Sequence, residues 1–192
     1  MSRIKTQNRG DVIIIDMRSV REDIKLLPPD VDRDATFALA WFSRSEGRQT
    51  LLSMGNTEDD IEESTIKGER KIMQDFLELE KAGKQITRVI VVEENTIGVV
   101  WIEHFENHGV KSPSIHIMIG NPDFRGKGIG RAVMQSVIEH IRSTLKADAI
   151  YSRHLSANTT VARLNESLGF MKDGDTYEDD NGLVWQNVVM ML

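Results

Sequence analysis

Three glycines and two basic residues crowd into the segment Asp123–Gly130, which reads DFRGKGIG. The segment follows an apolar run and precedes a helical pattern, so its amides lie at a helix N-terminus, where N–H groups lack partners within the helix. The helix dipole adds partial positive charge there, and Arg125 and Lys127 add two full charges. Glycine has no Cβ to hold a ligand away from the amides. The segment therefore predicts an anion-binding loop, with phosphate as the usual ligand.

Two familiar glycine motifs come close to this segment but do not fit it. A P-loop reads G-x-x-x-x-G-K-[ST], whereas Gly120 and Gly126 are one residue too far apart and Gly128 stands where Ser or Thr would bind magnesium. A dinucleotide fingerprint reads G-x-G-x-x-G, whereas this loop reads G-x-G-x-G. A tight strand-to-helix turn that binds nothing is a further alternative, which the three glycines and two cations disfavour.

The elements around this loop follow from apolar periodicity, which distinguishes strands from helices. The predicted strands are Val12–Met17, Ile86–Val92, Ile97–Phe105, Ser114–Ile119, Ala149–Leu155 and a C-terminal hairpin that turns at Asn181–Gly182 and returns over Val184–Leu192. Four helices are predicted: one that follows Asp34, one from Thr57 to Gly83, one that includes Val133–Leu145 and one from Asn158 to Gly169. This order predicts one domain over residues 1–192, of the α/β class with a mixed sheet rather than a regular doubly wound fold.

Composition narrows the function classes. The chain has no cysteine, which excludes disulfides and thiolate metal sites, and a cytoplasmic protein is the default expectation. The N-terminus is polar and no apolar run approaches the ~20 residues of a membrane helix, so neither a secretory signal nor a membrane partner is expected. A net charge of −6 argues against a nucleic-acid partner and is compatible with a cationic substrate or with ordinary acidic solubility.

The motifs resemble those of the GCN5-related N-acetyltransferase (GNAT) superfamily. Arg125–Gly130 matches its R/Q-x-x-G-x-G/A signature, and Pro122 and Phe124 precede it as in the family's P-x-[YF]-R-G form. Asn158 followed by Leu168–Phe170 is similar to the family's N…LGF segment. The resemblance extends from about residue 11 to the end and is nearest to the ribosomal-protein and small-molecule acetyltransferases. It implies the acyl-CoA N-acyltransferase fold, a central, mostly antiparallel sheet with splayed strands flanked by helices.

The resemblance also implies acetyl-CoA as co-substrate. Its pyrophosphate would bind the loop amides, and its pantetheine arm would run beside the strand Ser114–Ile119. The cofactor-binding residues implied in this way are Met118, Ile119, Gly120, Arg125, Gly126, Lys127, Gly128, Ile129, Gly130, Arg131 and Asn158. Asn158 also has a purely structural interpretation as the N-cap of the helix that follows it.

The implied reaction is direct attack of an amine on the thioester carbonyl. An alkyl ammonium has a pKa near 10.4, so only about one molecule in 10³ is nucleophilic at neutral pH and a general base is needed. The candidates are His116, where family members often carry Glu, and Glu103, on the same strand face as Trp101. A hydrogen-bonded sheet histidine and a solvated strand-end glutamate are the structural alternatives.

One departure from the family concerns the acid that protonates the leaving thiolate. Many members carry a tyrosine in the last helix, where this chain has Asn165, and an amide cannot act as an acid. Tyr151, Tyr177 or a water would replace it. His104 and His108 form no convincing metal site because a third ligand is missing, so no metal is expected.

The function that follows is an N-acetyltransferase acting on a primary amine of a small molecule, peptide or protein. The first helices (residues 32–66) and the last hairpin (172–187) would wall the acceptor site, where the acid run Glu178–Asp180 is either an attraction for a cationic amine or a solvated turn. The alternatives are a non-catalytic acyl-CoA-binding or sensor domain on the same fold, and an unrelated nucleotide-phosphate binder. A homodimer is the assembly considered.

Overall fold

A computed structural model describes residues 17–192. Its helices are α1 (Val31–Phe42), α2 (Ser45–Ser53), α3 (Ile66–Lys81), α4 (Ile129–Thr144), α5 (Thr159–Leu168) and a short 3-10 helix (Pro122–Phe124). Its strands are β1 (Ile24–Leu27), β2 (Gln85–Val92), β3 (Asn95–Glu103), β4 (Ser114–Ile119), β5 (Ala149–Leu155), β6 (Met171–Lys172), β7 (Tyr177–Glu178) and β8 (Val184–Met191). The strand predicted over Val12–Met17 lies outside the described residues except for Met17, which is in no strand.

The strands form one sheet in the order β1-β2-β3-β4-β5-β8-β6, with β7 also paired to β8. Every pair is antiparallel except β4–β5, which run parallel. The predicted mixed, mostly antiparallel sheet is thus confirmed. The β4–β5 pair is also the weakest, since Ser114 and Tyr151 are its only register partners and the strands separate beyond them. This separation creates the space for a site.

Two apolar cores cover the faces of the sheet. On one face, buried residues of α4 such as Val133, Val137 and Ile141 pack against sheet residues such as Ile115 and Ile150. On the other face, Trp41 of α1 and Met73 of α3 pack with Val99 and Met118. Both faces are therefore covered, and the alternation predicted for β4 buries residues from each of its two sides.

The helix starts follow capping chemistry, with two corrections, the first being that α1 begins at Val31 and contains Asp34 rather than following it. The Asp30 side chain accepts a hydrogen bond from the Arg33 amide at the start of α1 (2.9 Å). The α3 helix begins at Ile66 with Thr65 as its N-cap, so the predicted start at Thr57 is wrong. Thr57 does hydrogen-bond to Asp60, but the contact closes an isolated turn.

The elements that were not predicted from the sequence are β1, α2, β6 and the short 3-10 helix, and the first two show why. The β1 strand is four residues long and forms through pairing with Val89–Val92 of β2. The α2 helix has no side-chain N-cap bond and begins only two residues after α1 ends. Neither apolar periodicity nor a capping residue in the sequence therefore predicts it. The predicted C-terminal hairpin is confirmed, with Tyr177 paired to Trp185 and Asp179 accepting bonds from the amides of Asn181 and Leu183 in the turn.

Within residues 17–192, no helix has both the length and the apolar character that crossing a bilayer requires.

Candidate active site

A cleft of about 770 Å³ opens where β4 and β5 separate. Its closed end is fixed by the Ser152 hydroxyl, which donates to the Ile115 carbonyl across the two strands (2.8 Å). The glycine loop, the start of α4, one side of α5 and the end of α2 complete its walls. The sequence-derived anion loop and the candidate base therefore open into the same space.

The glycine loop has the backbone conformation that its sequence suggests. Gly126 and Gly128 have φ angles of 71° and 74°, in the left-handed region. A Cβ at either position would meet no atom within 4 Å, so the backbone conformation rather than the available space favours glycine here. Gly128 is the N-cap of α4 and offers no side chain, so the first-turn amides of Ile129–Arg131 point out of the helix without intrahelical partners.

The cations near this loop divide into two kinds. The Arg125 guanidinium is held by protein oxygens, because its Nε donates to the Ile119 carbonyl (3.0 Å) and its Nη2 to the Thr50 hydroxyl (2.8 Å) and the Gly120 carbonyl (3.2 Å). Lys127 lies over the Phe124 ring and Arg131 is exposed on the cleft wall. Arg125 thus fastens the loop to β4 and α2, and the other two charges remain at the surface.

A further arginine near the loop was missed from the sequence. The Arg21 Nη1 donates to the carbonyl of Lys127 (3.0 Å) and its guanidinium pairs with Asp23. More than a hundred residues separate the two partners in the chain. No local pattern in the sequence could have revealed this contact.

Of the remaining residues expected to bind the cofactor, some line the cleft and others make structural contacts. Met118 and Ile119 line the cleft, whereas Gly120 packs on Trp41, whose ring a Cβ there would strike. The Asn158 side chain caps α5 by accepting from the Val161 amide (3.2 Å), which confirms the N-cap interpretation. Its Nδ2 donates to the Ser53 carbonyl of α2 (3.2 Å), so a ligand contact at that nitrogen would replace this bond.

The candidate bases Glu103 and His116 lie together. The Glu103 Oε2 is 3.6 Å from the His116 Nε2, which is also 3.2 Å from the Ser114 hydroxyl. The His116 ring stacks on its cross-strand neighbour Trp101, with centroids 5.1 Å apart. Glu103 is only 8% exposed, so the alternative of a solvated strand-end glutamate is wrong. The pair forms a couple of a buried carboxylate and a half-buried imidazole at the edge of the cleft.

Its surroundings keep Glu103 ionised. Burial alone would raise the pKa of Glu103, but interaction with the His116 imidazole and hydrogen bonds from Trp101 and Asn107 outweigh it and lower that pKa. The bonds are from the Trp101 Nε1 (3.2 Å) and the Asn107 Nδ2 (3.3 Å). The Glu103 carboxylate lies beside the His116 imidazole and orients its ring, as a general base requires.

Tyr151 lies apart from this couple. It is the partner of Ser114 in the β4–β5 pair, its ring is 5.4 Å from the Lys111 Nζ, and it is not among the residues that line the cleft. Among the described residues, no group of three or more His, Cys, Asp or Glu side chains could hold a metal ion.

Comparison with known proteins decides the family. Residues 23–171 match the family model described as an acetyltransferase (GNAT) domain. The chain belongs to this family. The family resemblance and the fold class predicted from the sequence are both confirmed.

Solved structures share the fold of this acetyltransferase domain. The microcin C7 self-immunity acetyltransferase, in complex with acetyl-CoA and AMP, aligns with a TM-score of 0.73 at 16% identity, over 90% of this chain and 94% of the other. A ribosomal L7/L12 α-N-protein acetyltransferase in complex with coenzyme A gives 0.74 at 15% identity, over 90% and 96%. The Vibrio cholerae spermidine N-acetyltransferase, with CoA and spermine, gives 0.68 at 15% identity, over 89% and 95%.

A curated relative is similar over a shorter stretch. The mycothiol acetyltransferase of Propionibacterium freudenreichii subsp. shermanii is 32% identical over 74 residues, which are 38% of this chain. The match spans 23% of that protein's length, or about a quarter.

Asn165 distinguishes this acetyltransferase domain at the position where the family pattern often has tyrosine. The residue is 2% exposed, lines the cleft, and has a buried Nδ2 without a hydrogen-bond partner in the described part of the chain. A buried amide donor left unpaired costs about 1–3 kcal/mol. Such a group is informative in a cleft because a ligand can satisfy it.

Proposed function

We propose that the chain is an N-acetyltransferase that moves an acetyl group from acetyl-CoA to a primary amine of a small molecule, peptide or protein. One observation carries the proposal: a single cleft joins the amide-lined N-terminus of α4 to the Glu103–His116 couple. The first can hold a diphosphate and the second can accept a proton. Family membership supports the same donor and reaction class.

The cleft offers acetyl-CoA two kinds of contact. The free amides of Ile129–Arg131 and the positive end of α4 suit its pyrophosphate. The edge of β4 that faces β5 is unpaired beyond Ser114, so its backbone can bond the amides of a pantetheine arm as a neighbouring strand would. Arg131 on the cleft wall adds charge complementarity, and Lys127 is a further exposed cation of the same loop.

The proton of the attacking ammonium goes to His116. Its Nε2 faces Ser114 and Glu103, so its Nδ1 is the nitrogen that accepts, directly or through a water. The neutral amine then attacks the carbonyl carbon, a C–N bond forms, the C–S bond breaks to release the CoA thiolate, and the nitrogen loses its second proton to water. Glu103 stabilises the imidazolium that results.

Asn165 takes part in the departure of the thiolate without acting as an acid. Its buried Nδ2 can donate a hydrogen bond to sulfur as negative charge develops there. A thiol has a pKa near 8.5, so the thiolate is a tolerable leaving group and can take its proton from water afterwards. This role explains why an amide can stand where a tyrosine is common.

The couple beside the cleft favours catalysis over the alternative of an acyl-CoA sensor, because a sensor needs no base. We further propose a cytoplasmic location, since acetyl-CoA is an intracellular metabolite. A homodimer remains a proposal that sedimentation or light scattering would test.

The test is release of CoA thiol from acetyl-CoA, followed with a thiol-reactive dye while amines of several classes are supplied. Binding of acetyl-CoA is measured separately by calorimetry. We expect micromolar-range binding and amine-dependent thiol release. Binding without release for any amine would support the sensor, and the binding of ATP or NAD in place of acetyl-CoA would contradict the whole proposal.

A further inference from the structure

Arg153 of β5 places a cation on the same side of the sheet as the His116–Glu103 couple. Tyr151 pairs with Ser114, and alternate residues of a strand share a face, so Arg153 lies on the face that carries His116. Both residues line the cleft. The cation is therefore positioned across the gap between β4 and β5 from the proposed base.

The Arg153 guanidinium is oriented by weak contacts. Its Cζ lies 3.9 Å from the centroid of the Trp185 ring, a cation–π arrangement. Its Nη1 is 3.4 Å from the His108 carbonyl and 3.5 Å from the Tyr177 hydroxyl, both at the long limit for hydrogen bonds. These contacts fix the plane of the group and leave most of its five N–H donors for a ligand.

One neighbouring acid, Asp179, interacts electrostatically with Arg153 but makes its hydrogen bonds to other groups. Within residues 17–192, no carboxylate oxygen lies within 4.0 Å of the Arg153 guanidinium. Asp179 accepts bonds from the Trp185 Nε1 (2.8 Å) and from two amides of its own turn, and Asp173 pairs with Lys111 (3.5 Å). Asp179 therefore builds the turn and offsets part of the Arg153 charge, and the guanidinium, which has no ion-pair partner among the described residues, lines the cleft.

The acceptor end of the cleft thus has a negatively charged side and a positively charged side. The β3–β4 side offers the ionised Glu103 beside His116, which suits an amine, and the β5–β8 side offers Arg153, which suits an anion. A planar guanidinium held by an aromatic ring matches the two oxygens of a carboxylate. A polycation would meet Arg153 as a like charge.

We propose that the acceptor is a small amine that also carries a carboxylate, an amino acid or a close homologue, and that Arg153 binds the carboxylate. The proposal rests on the proposed function and specifies the substrate class of the same site. Arg153 is the specificity determinant, and the couple of Glu103 and His116 accepts the proton of the amine.

The experiment compares acceptors that differ only in the anion. Phenylalanine, phenylalaninamide and phenethylamine share a side chain, and spermidine represents polycations. We expect kcat/KM for phenylalanine to exceed that for either neutral-ended amine by about ten- to a hundredfold, the range of a charge-assisted hydrogen bond. In Arg153→Gln the preference should fall to within about twofold, mainly through KM.

Two further variants keep the test decisive. Arg153→Lys keeps the charge without the planar fork and should retain part of the preference. Arg163→Gln removes an exposed arginine of α5 that is not part of the cleft lining and should leave the preference unchanged. Circular dichroism and thermal melting confirm that each variant is folded.

A second readout separates this inference from the proposed function. Binding of 3-phenylpropionate, which has the carboxylate but no amine, is measured by calorimetry and should weaken at least tenfold in Arg153→Gln. If no amine releases thiol but this loss is seen, the acetyltransferase proposal fails and the anion subsite stands. If thiol release proceeds equally well with phenethylamine or spermidine, or if Arg153→Gln keeps the preference, the subsite is overturned.

Discussion

The two ends of the cleft are built from different materials. The loop end is made of backbone amides at positive-φ glycines and the start of α4, all within one short segment of the chain. The acceptor end is made of side chains from β3, β4, β5 and β8 that meet only through the register of the sheet. A site made of backbone amides is formed by residues that are contiguous in the sequence, whereas a site made of side chains from several strands depends on the pairing of the whole sheet. The ends should therefore respond differently to substitution.

The largest effect is expected at the acceptor end. His116→Gln should lower kcat by about 10²–10⁴-fold, because the proton acceptor is lost, and should change the affinity for acetyl-CoA by less than about threefold. Steady-state thiol release and calorimetry measure the two quantities. The matched control is His104→Gln, a histidine of the neighbouring strand end that is not part of the cleft lining. Equal turnover in the two variants would remove His116 from the reaction.

The loop end should show the converse behaviour. Gly128→Val forces a β-branched residue towards φ +74°, and should weaken acetyl-CoA binding by about ten- to a hundredfold through backbone strain. Gly83→Val is the matched control, since Gly83 has φ +69°, also has no atom within 4 Å of a built Cβ, and lies outside the cleft lining. Both variants should lose similar stability in urea, but only Gly128→Val should lose binding. Wild-type affinity in Gly128→Val would show that these amides do not hold the cofactor.

Asn165 lies between the two ends and should separate activity from stability. Replacing its unpaired buried amide by leucine should raise the melting temperature by about 2–4 °C and lower kcat by about tenfold. Differential scanning calorimetry and thiol release at saturating substrates measure the two changes. A stabilised variant with full turnover would leave Asn165 a structural residue only.

The smallest effect concerns the pH dependence of stability. Because the pKa of Glu103 is lowered in the folded protein, its ionised form stabilises the fold above the carboxyl's ordinary pKa, and this contribution is lost as pH falls through the lowered pKa. Glu103→Gln should therefore cost about 1 kcal/mol of unfolding free energy at pH 7 and less at pH 3. Urea titrations at both pH values measure the gap. Glu106→Gln, at an exposed neighbouring position, should show no such pH-dependent gap.

The same contrast explains what the sequence could predict. The glycine loop, the N-cap at Asn158 and the hairpin at Asn181–Gly182 depend on residues adjacent in the chain, and the structure has each of these features. The elements that were missed or misplaced depend on distant partners. The β1 strand exists through its pairing with β2, and α3 is capped at Thr65 rather than at Thr57, the capping signal eight residues earlier.

The site shows the same division. Alternation along β3 predicts Glu103 and Trp101 on one face of that strand, but their position beside His116 and the stacking of its ring on Trp101 are set by the cross-strand register. Arg153 was not recognised from the sequence, because strand alternation alone does not tell which face of β5 meets the cleft. Arg21 reaches the loop across more than a hundred residues.

The hydrogen bonds of Arg125 explain why the family signature accepts either arginine or glutamine at this position. Arg125 holds the loop against the end of β4 by donating hydrogen bonds to the carbonyls of Ile119 and Gly120. Glutamine, the other residue that the signature accepts, has no charge but shares a planar group with N–H donors. Lysine has the charge and lacks the planar group. Among homologues, this position should therefore select for donor geometry, with lysine rarer than neutral glutamine.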